Sequence, residues 1–204
     1  MKQLTSYNRV AGYLNKIFDL LNSKYFESAL SKPTITIQST PKAYGHFSLR
    51  EDTWVSKNGN THEINIGAGT LARPIEEVVA TLLHEMVHYY NCINKIKDCS
   101  RGNLYHNKYF KVAAEQRDLL VEHSQSYGWS HTRPSEALLD FVIENNLTDI
   151  LLNRNDFSCS YRGGEKHKTS STRKYVCPKC ALSVRATRTV NIACVDCMLK
   201  MVEI

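Results

Sequence analysis

The run VVATLLHEMVHYYNCI, residues 78–93, limits the fold more than any other segment of the chain. Val78, Val79, Leu82, Leu83, Met86 and Val87 fall on several sides of a helical axis, so the spacing predicts a helix buried in a core. Pro74 in the first turn, with Glu76 and Glu77 at the positive end of the helix, marks its start. His84, Glu85 and His88 interrupt the apolar run. Residues four apart share a helix face, so both imidazoles reach one point in space. Burying such groups without partners costs several kcal/mol, and a metal ion supplies the compensation. With 8 His among 204 residues, chance produces H-E-x-x-H only about 0.02 times in a chain of this composition, so the metal reading stands against a purely structural one.

Glu85 adjoins the first histidine and projects beside the ion, where it meets an ion-bound water. A catalytic zinc takes three protein ligands and keeps a fourth position for that water. The third ligand lies elsewhere in the chain. His106, in LYHNKYFK at the start of the next expected helix, is the first candidate, and Glu115, Asp118 and His123 on that helix compete with it. Zinc acidifies its water, and Glu85 takes the proton and later passes it to a leaving amine. Tyr89, Tyr90, Arg101 and Tyr105 are candidates for steadying the oxyanion, although packing or surface roles suit them better.

Cys177, Cys180, Cys194 and Cys197 form two C-x-x-C pairs, which read as a closed, structural four-cysteine zinc site. Cys92, Cys99 and Cys159 are scattered and read as plain thiols. An odd cysteine count without a signal-like N-terminus argues against a disulfide framework and for the cytoplasm. No apolar run is long enough for a membrane span.

Charge separates the same two regions. Residues 1–153 carry 16 basic and 16 acidic side chains, whereas residues 154–204 carry 10 and 4. Four thiolates around a dication lower the tail's balance to roughly +4. The tail remains basic, which suits an anionic partner such as DNA, single-stranded or at a junction. Lys166, Lys168, Arg173, Lys174, Lys179, Arg185, Arg188 and Lys200 are the candidate phosphate contacts, and Tyr161 or Tyr175 the candidate base-stacking rings. Arg185 and Arg188 are an odd number apart on a strand-like arm, which turns them to opposite sides.

The remaining pattern predicts an α+β chain. A helix is expected over residues 5–30, ended by Pro33, with strands over 34–38, 43–49 and 62–67 and a turn at Lys57–Asn60. A polar break over 94–103 precedes a helix from Asn107 to about Tyr127, and SEALLDFVIENN forms a short last helix. The expected domains are 1–153, a basic flexible linker over 154–174 rich in glycine and polar residues, and a metal-folded unit over 175–204. His46, His62, His123, His131 and His167 read as surface or packing residues.

H-E-x-x-H on an apolar helix, then His106 with Phe110 four positions later, then a C-terminal pair of C-x-x-C motifs, resembles the SprT-like zinc metalloproteases. Eukaryotic members called Spartan are similar over the protease domain. The resemblance covers about residues 10–125 and the ribbon over 175–200. It implies a zincin-like domain in which a small sheet packs on the H-E-x-x-H helix, followed by a zinc ribbon. It implies one catalytic zinc on His84, His88 and His106, one structural zinc, and cleavage of proteins associated with or crosslinked to DNA. The family's third ligand lies in H-G-x-x-F, and here Asn107 replaces the glycine. Residues 130–160 match no part of the pattern. Two other readings remain. One is a DNA-binding ribbon protein whose H-E-x-x-H zinc is structural, against which the intact Glu85 argues. The other is a protease that cuts one repressor partner.

Overall fold

In a computed structural model, which describes residues 3–40, 43–57, 59–155, 173–186 and 188–203, the apolar run lies at the centre of helix α2 (Ile75–Ile93). Val78, Val79, Leu82, Leu83, Met86 and Val87 are all fully buried there, as a helix apolar on several sides requires. Pro74 occupies the capping position just outside the first turn, and Asp149 accepts a hydrogen bond from the Ile75 N–H at 2.8 Å. That carboxylate satisfies an N–H that the helix itself leaves free.

The chain divides into two compact units, Met1–Ser160 and Tyr161–Ile204. In the first, helix α1 (Tyr7–Phe26) buries Val10, Leu14, Ile17, Phe18 and Leu21 along one face. It ends well before Pro33, because Glu27 and Ser28 turn left-handed and the Asn22 side chain both donates to the Leu30 carbonyl and accepts from the Leu30 N–H. A left-handed backbone cap on the Asn22 carbonyl, and not the proline, closes this helix.

Strands β1 (Thr34–Gln38) and β2 (Gly45–Phe47) follow, then the hairpin β3 (Trp54–Ser56) and β4 (Gly59–Thr61), then β5 (Glu63–Gly67). The first sheet has the order β1-β5-β2, with β1 parallel and β2 antiparallel to β5. Ile35, Ile37, Ile64 and Ile66 enter the core. The strand expected over 43–49 is shorter than its pattern. The turn around Gly59 closes the β3–β4 hairpin, and does not join the strands at 43–49 and 62–67.

The helix expected from Asn107 to about Tyr127 forms only over its first part. Helix α3 (Lys108–Glu115) ends early, and the chain re-enters as β8 (Leu119–Ser124) and β9 (Gly128–Pro134), an antiparallel hairpin. Asp118 is left-handed, and beyond it Leu119 is buried, Leu120 exposed and Val121 half-buried. Alternation therefore wins over helical spacing from Leu119 onward. With β6 (Cys99–Ser100) and β7 (Tyr105–His106) this hairpin makes a second sheet of order β6-β7-β9-β8.

Ser135 caps helix α4 (Glu136–Glu144), which buries Leu138, Phe141 and Val142. Leu147 and Ile150 continue that core, and the Asn153 side chain accepts from the Leu71 N–H. The described part of the stretch that matched nothing in the sequence pattern is thus structural.

The second unit has two small sheets. Strands β10 (Arg173–Val176), β11 (Ser183–Ala186) and β14 (Val202–Glu203) form one, in the order β11-β10-β14. Strands β12 (Ala193–Cys194) and β13 (Leu199–Lys200) form the other. Its buried core is Tyr175, Cys177, Cys194 and Met201. Cys159, Tyr161, Lys166, His167 and Lys168 lie outside the described residues. Among the described residues no helix is long and apolar enough to cross a membrane.

Candidate metal centres

His84 and His88 stand one turn apart on α2, and β7 brings His106 against them. Their three Nε2 atoms lie 3.2, 3.2 and 3.0 Å apart. Ligands on a tetrahedral zinc with bonds of 2.0–2.1 Å are separated by about 3.3 Å, so the triangle fits that ion. Three imidazole nitrogens facing one another at this distance can share a cation between their lone pairs. Phe110, on α3, lies beneath all three rings, with centroids 4.6, 4.6 and 4.7 Å away.

The far side of each ring decides which nitrogen points inward. His88 Nδ1 donates to Asp98 Oδ2 at 2.7 Å, and Asn91 Nδ2 donates to the same oxygen at 3.0 Å. His84 Nδ1 lies 3.0 Å from Thr132 Oγ1 on β9. A carboxylate behind an imidazole fixes its tautomer and makes the inward nitrogen more basic. His88, Asp98 and Cys99 also sit close enough to hold an ion. The Nδ1 of His88 is already committed to Asp98, however, so the three-histidine set is the better donor group.

Burial lowers His84 well below its ordinary pKa, helped by charge on His88 and His106, and lowers His106 to about 4. At His88 burial acts downward too. Hydrogen bonds to Asp98 and Cys99 and the charges of Glu85 and Asp98 outweigh it and lift the ring to about 10. Glu85 is almost fully buried, which pushes its carboxyl up to about 7. A bound dication reverses this and favours the carboxylate. Strand β2 passes against Glu85 at Gly45, where any Cβ would fall 3.1 Å from Glu85 Oε1 and 2.9 Å from the Asn65 carbonyl oxygen.

The competing third-ligand candidates are engaged elsewhere. Glu115 pairs with Lys111, Asp118 accepts from the Tyr25 hydroxyl, and His123 bonds the Tyr105 hydroxyl. His106 lies on a short strand just before α3, and not at the helix start. Asn107, where the resembling pattern has glycine, caps α3. Its backbone is extended and its side chain accepts from the Tyr109 and Phe110 N–H groups. No glycine is needed there. Of the oxyanion candidates, Tyr89 packs with Phe47 and His62, and Tyr90 with Phe26 and Arg117. Arg101 lies over the ring of Tyr105.

Sequence reasoning missed Asp98, Asn91, Thr132 and Gly128. Gly128 has a positive φ of 67°, and a Cβ there would run into the His106 carbonyl oxygen. It pairs directly with His106 across the β7–β9 bridge. Two predictions follow from this support. Asp98→Asn is expected to weaken zinc binding about 10–100-fold, read by titration against a competing chelator. Gly128→Ala is expected to destabilise the fold by about 1–2 kcal/mol from its left-handed backbone alone, with a further loss of zinc affinity as His106 shifts. Urea unfolding and the same titration check both effects.

In the second unit Cys177, Cys180, Cys194 and Cys197 bring four sulfurs within 4.8 Å of one another. Cys180 and Cys194 Sγ are 3.7 Å apart, close to the roughly 3.8 Å edge of a tetrahedron with 2.3 Å zinc–sulfur bonds. Backbone N–H groups of Cys180 and Lys179 favour the Cys177 thiolate and lower its pKa. Of the candidate DNA contacts, Arg173 pairs with Glu203 at 3.4 Å, Lys174 stands directly opposite Arg185 on the neighbouring strand, and Arg188 is exposed just past β11. Tyr175 is buried and donates to Glu203, so it is no base-stacking platform.

Among known proteins, the model of the SprT-like family matches residues 14–126, more than half of the chain. No curated protein and no solved structure matches it.

Proposed function

The chain belongs to the SprT-like family, and on that premise we propose that it is a zinc-dependent endopeptidase with a zincin-like catalytic domain. The observation that carries this reading is the convergence of three Nε2 atoms within 3.2 Å, with a buried carboxylate next to the first of them. When bound, zinc supplies a Lewis acid and an acidified water. His84, His88 and His106 hold it through Nε2. Glu85 is not a ligand in this scheme. Its carboxylate accepts a proton at the nucleophile and returns it to the leaving amine. A dication beside it would hold Glu85 as the carboxylate, the form that accepts a proton. Gly45 leaves β2 close against Glu85, which keeps bulk water away from that carboxylate.

We read the four cysteines as the ligands of a second, structural zinc, and the basic C-terminal region as a DNA contact in a cytoplasmic enzyme that acts on DNA-associated or DNA-crosslinked proteins. The ten basic against four acidic side chains of residues 154–204 support the DNA reading.

The test incubates the zinc-loaded protein with a basic DNA-binding protein, with and without single-stranded DNA. Cleavage that chelation abolishes and DNA stimulates is the expected result. Binding to DNA without any cleavage would overturn the enzymatic reading. Cleavage indifferent to DNA would overturn the DNA assignment and leave a protein-specific protease.

A further inference from the structure

The three clustered histidines differ in what stands behind them. His84 and His88 are each held at the far nitrogen, by Thr132 and by Asp98. His106 Nδ1 is buried and has no hydrogen-bond partner among the described residues. A ligand ring is ordinarily oriented by a partner at that nitrogen. Its backbone support is slight as well. The two-residue strand β7 pairs with β6 over two residues and with β9 at one, His106 opposite Gly128. The position of the third imidazole therefore depends on how β7 itself is held.

Alternation along β7 turns its two side chains to opposite faces of the second sheet. His106 faces the histidines of α2, so Tyr105 lies behind it. There the Tyr105 hydroxyl meets His123 Nε2 of β8 at 3.1 Å. Arg101 stands over the Tyr105 ring at 4.6 Å from the centroid, and at Gly128 any Cβ would fall 2.8 Å from Tyr105 Cε1.

His123 is backed in turn. Its ring meets Trp129 nearly edge-on with centroids 4.8 Å apart, and Lys111 of α3 lies 4.2 Å from the Trp129 ring centroid. The pairing of β8 with β9 shifts at this point, from Glu122 opposite His131 to Ser124 opposite Gly128. Two residues of β9, Trp129 and Ser130, thus stand against His123 alone. Such a bulge re-aims a side chain, and here it sets Trp129 behind the imidazole that Tyr105 meets.

We propose that Tyr105 and His123 are positioning residues for the third metal ligand, their side-chain hydrogen bond clamping β7 so that His106 reaches the ion. This role rests on His106 being a zinc ligand. It also gives the Tyr105 hydroxyl a task away from any oxyanion.

The test measures zinc affinity of the full-length protein against a competing chelator. The NMR signals of the His84, His88 and His106 rings report this site separately from the cysteines. Tyr105→Phe keeps the ring and removes the hydroxyl. It is expected to weaken zinc binding about fivefold, the worth of one hydrogen bond. His123→Ala is expected to cost the same, and the double variant no more than either alone. His123→Gln, whose amide reaches the same hydroxyl, is expected to restore the affinity.

His106→Ala separates the clamp from the ligand assignment beneath it. Wild-type zinc affinity in that variant would overturn both. Weak binding there, with wild-type affinity in Tyr105→Phe and His123→Ala, would overturn the clamp alone. So would a lowered urea midpoint at unchanged affinity, which marks a merely structural bond, or losses that add in the double variant.

Discussion

Glu85→Gln is expected to keep its zinc and to lose proteolysis by about 10²–10⁴-fold. Glutamine has the size and reach of the carboxylate but accepts no proton. In the proposed scheme the ion is held by His84, His88 and His106, so metal content measured on the purified variant is expected to stay at the wild-type value. Cleavage of an unstructured protein, followed against an active-site-intact control, reads the loss. Full activity with glutamine in place would sink the role assigned to Glu85.

The same variant carries a pH signature. The folded-state pKa of Glu85 is raised from 4.5 to about 7, chiefly by burial. For an acid shifted upward, the protonated form is the one that suits the fold. Stability from this group is therefore full below the unfolded pKa and is lost as pH rises to the folded one. In the metal-free protein the loss amounts to about 3 kcal/mol. Metal-free Glu85→Gln is expected to be the more stable protein above pH 7, with the difference vanishing towards pH 4.5. Denaturant unfolding across that window measures it, and a difference that grows on acidification would contradict the burial argument.

Cys194→Ser is expected to unfold the second unit and leave the first intact. That unit buries little besides Tyr175, Cys177, Cys194 and Met201. Four side chains, two of them proposed ligands, cannot offset the ordering of five strands, at roughly 1–2 kcal/mol per residue of backbone alone. Structural zinc contributes about 10–16 kcal/mol to the folding of small units of this kind. The expected result is one zinc equivalent lost, collapse of the dispersed NMR signals of residues 173–203, and loss of DNA binding. Cleavage of a short unstructured substrate persists. Dispersed signals from these residues in a metal-free sample would show that the unit folds by itself.

The helix carrying the histidines was legible because its burial and its ligand spacing have the same period, 3.6 residues. The four cysteines were legible because their ligand spacing is local. His106 was legible as the first candidate from its place a short connection beyond the long helix, and resemblance strengthened that choice over Glu115, Asp118 and His123. The hairpin after α3 was not legible. Leu119, Leu120 and Val121 follow a helical stretch without a proline, and the turn rests on Asp118 and Gly128 in left-handed conformations. Asp98 lay hidden for a different reason. A carboxylate ten residues beyond His88 in a polar break looks like any surface acid until the chain folds back through β6.

The three histidines are not equally anchored. His84 and His88 belong to a helix that opens only when the whole core comes apart. His106 sits on a two-residue strand, tied by its N–H to the Tyr127 carbonyl and by its neighbour Asn107 to that of Asp98, both at 2.9 Å. The connection leading to it runs through Arg101, Gly102 and Asn103, all left-handed. Local opening of so small a segment costs far less than global unfolding. The residence time of an ion in this site is accordingly set by how often that one strand lifts. Substitutions around Gly128 and the Arg101–Asn103 turn should change the rate of metal exchange, while substitutions deep in α2 change stability and leave the exchange rate alone.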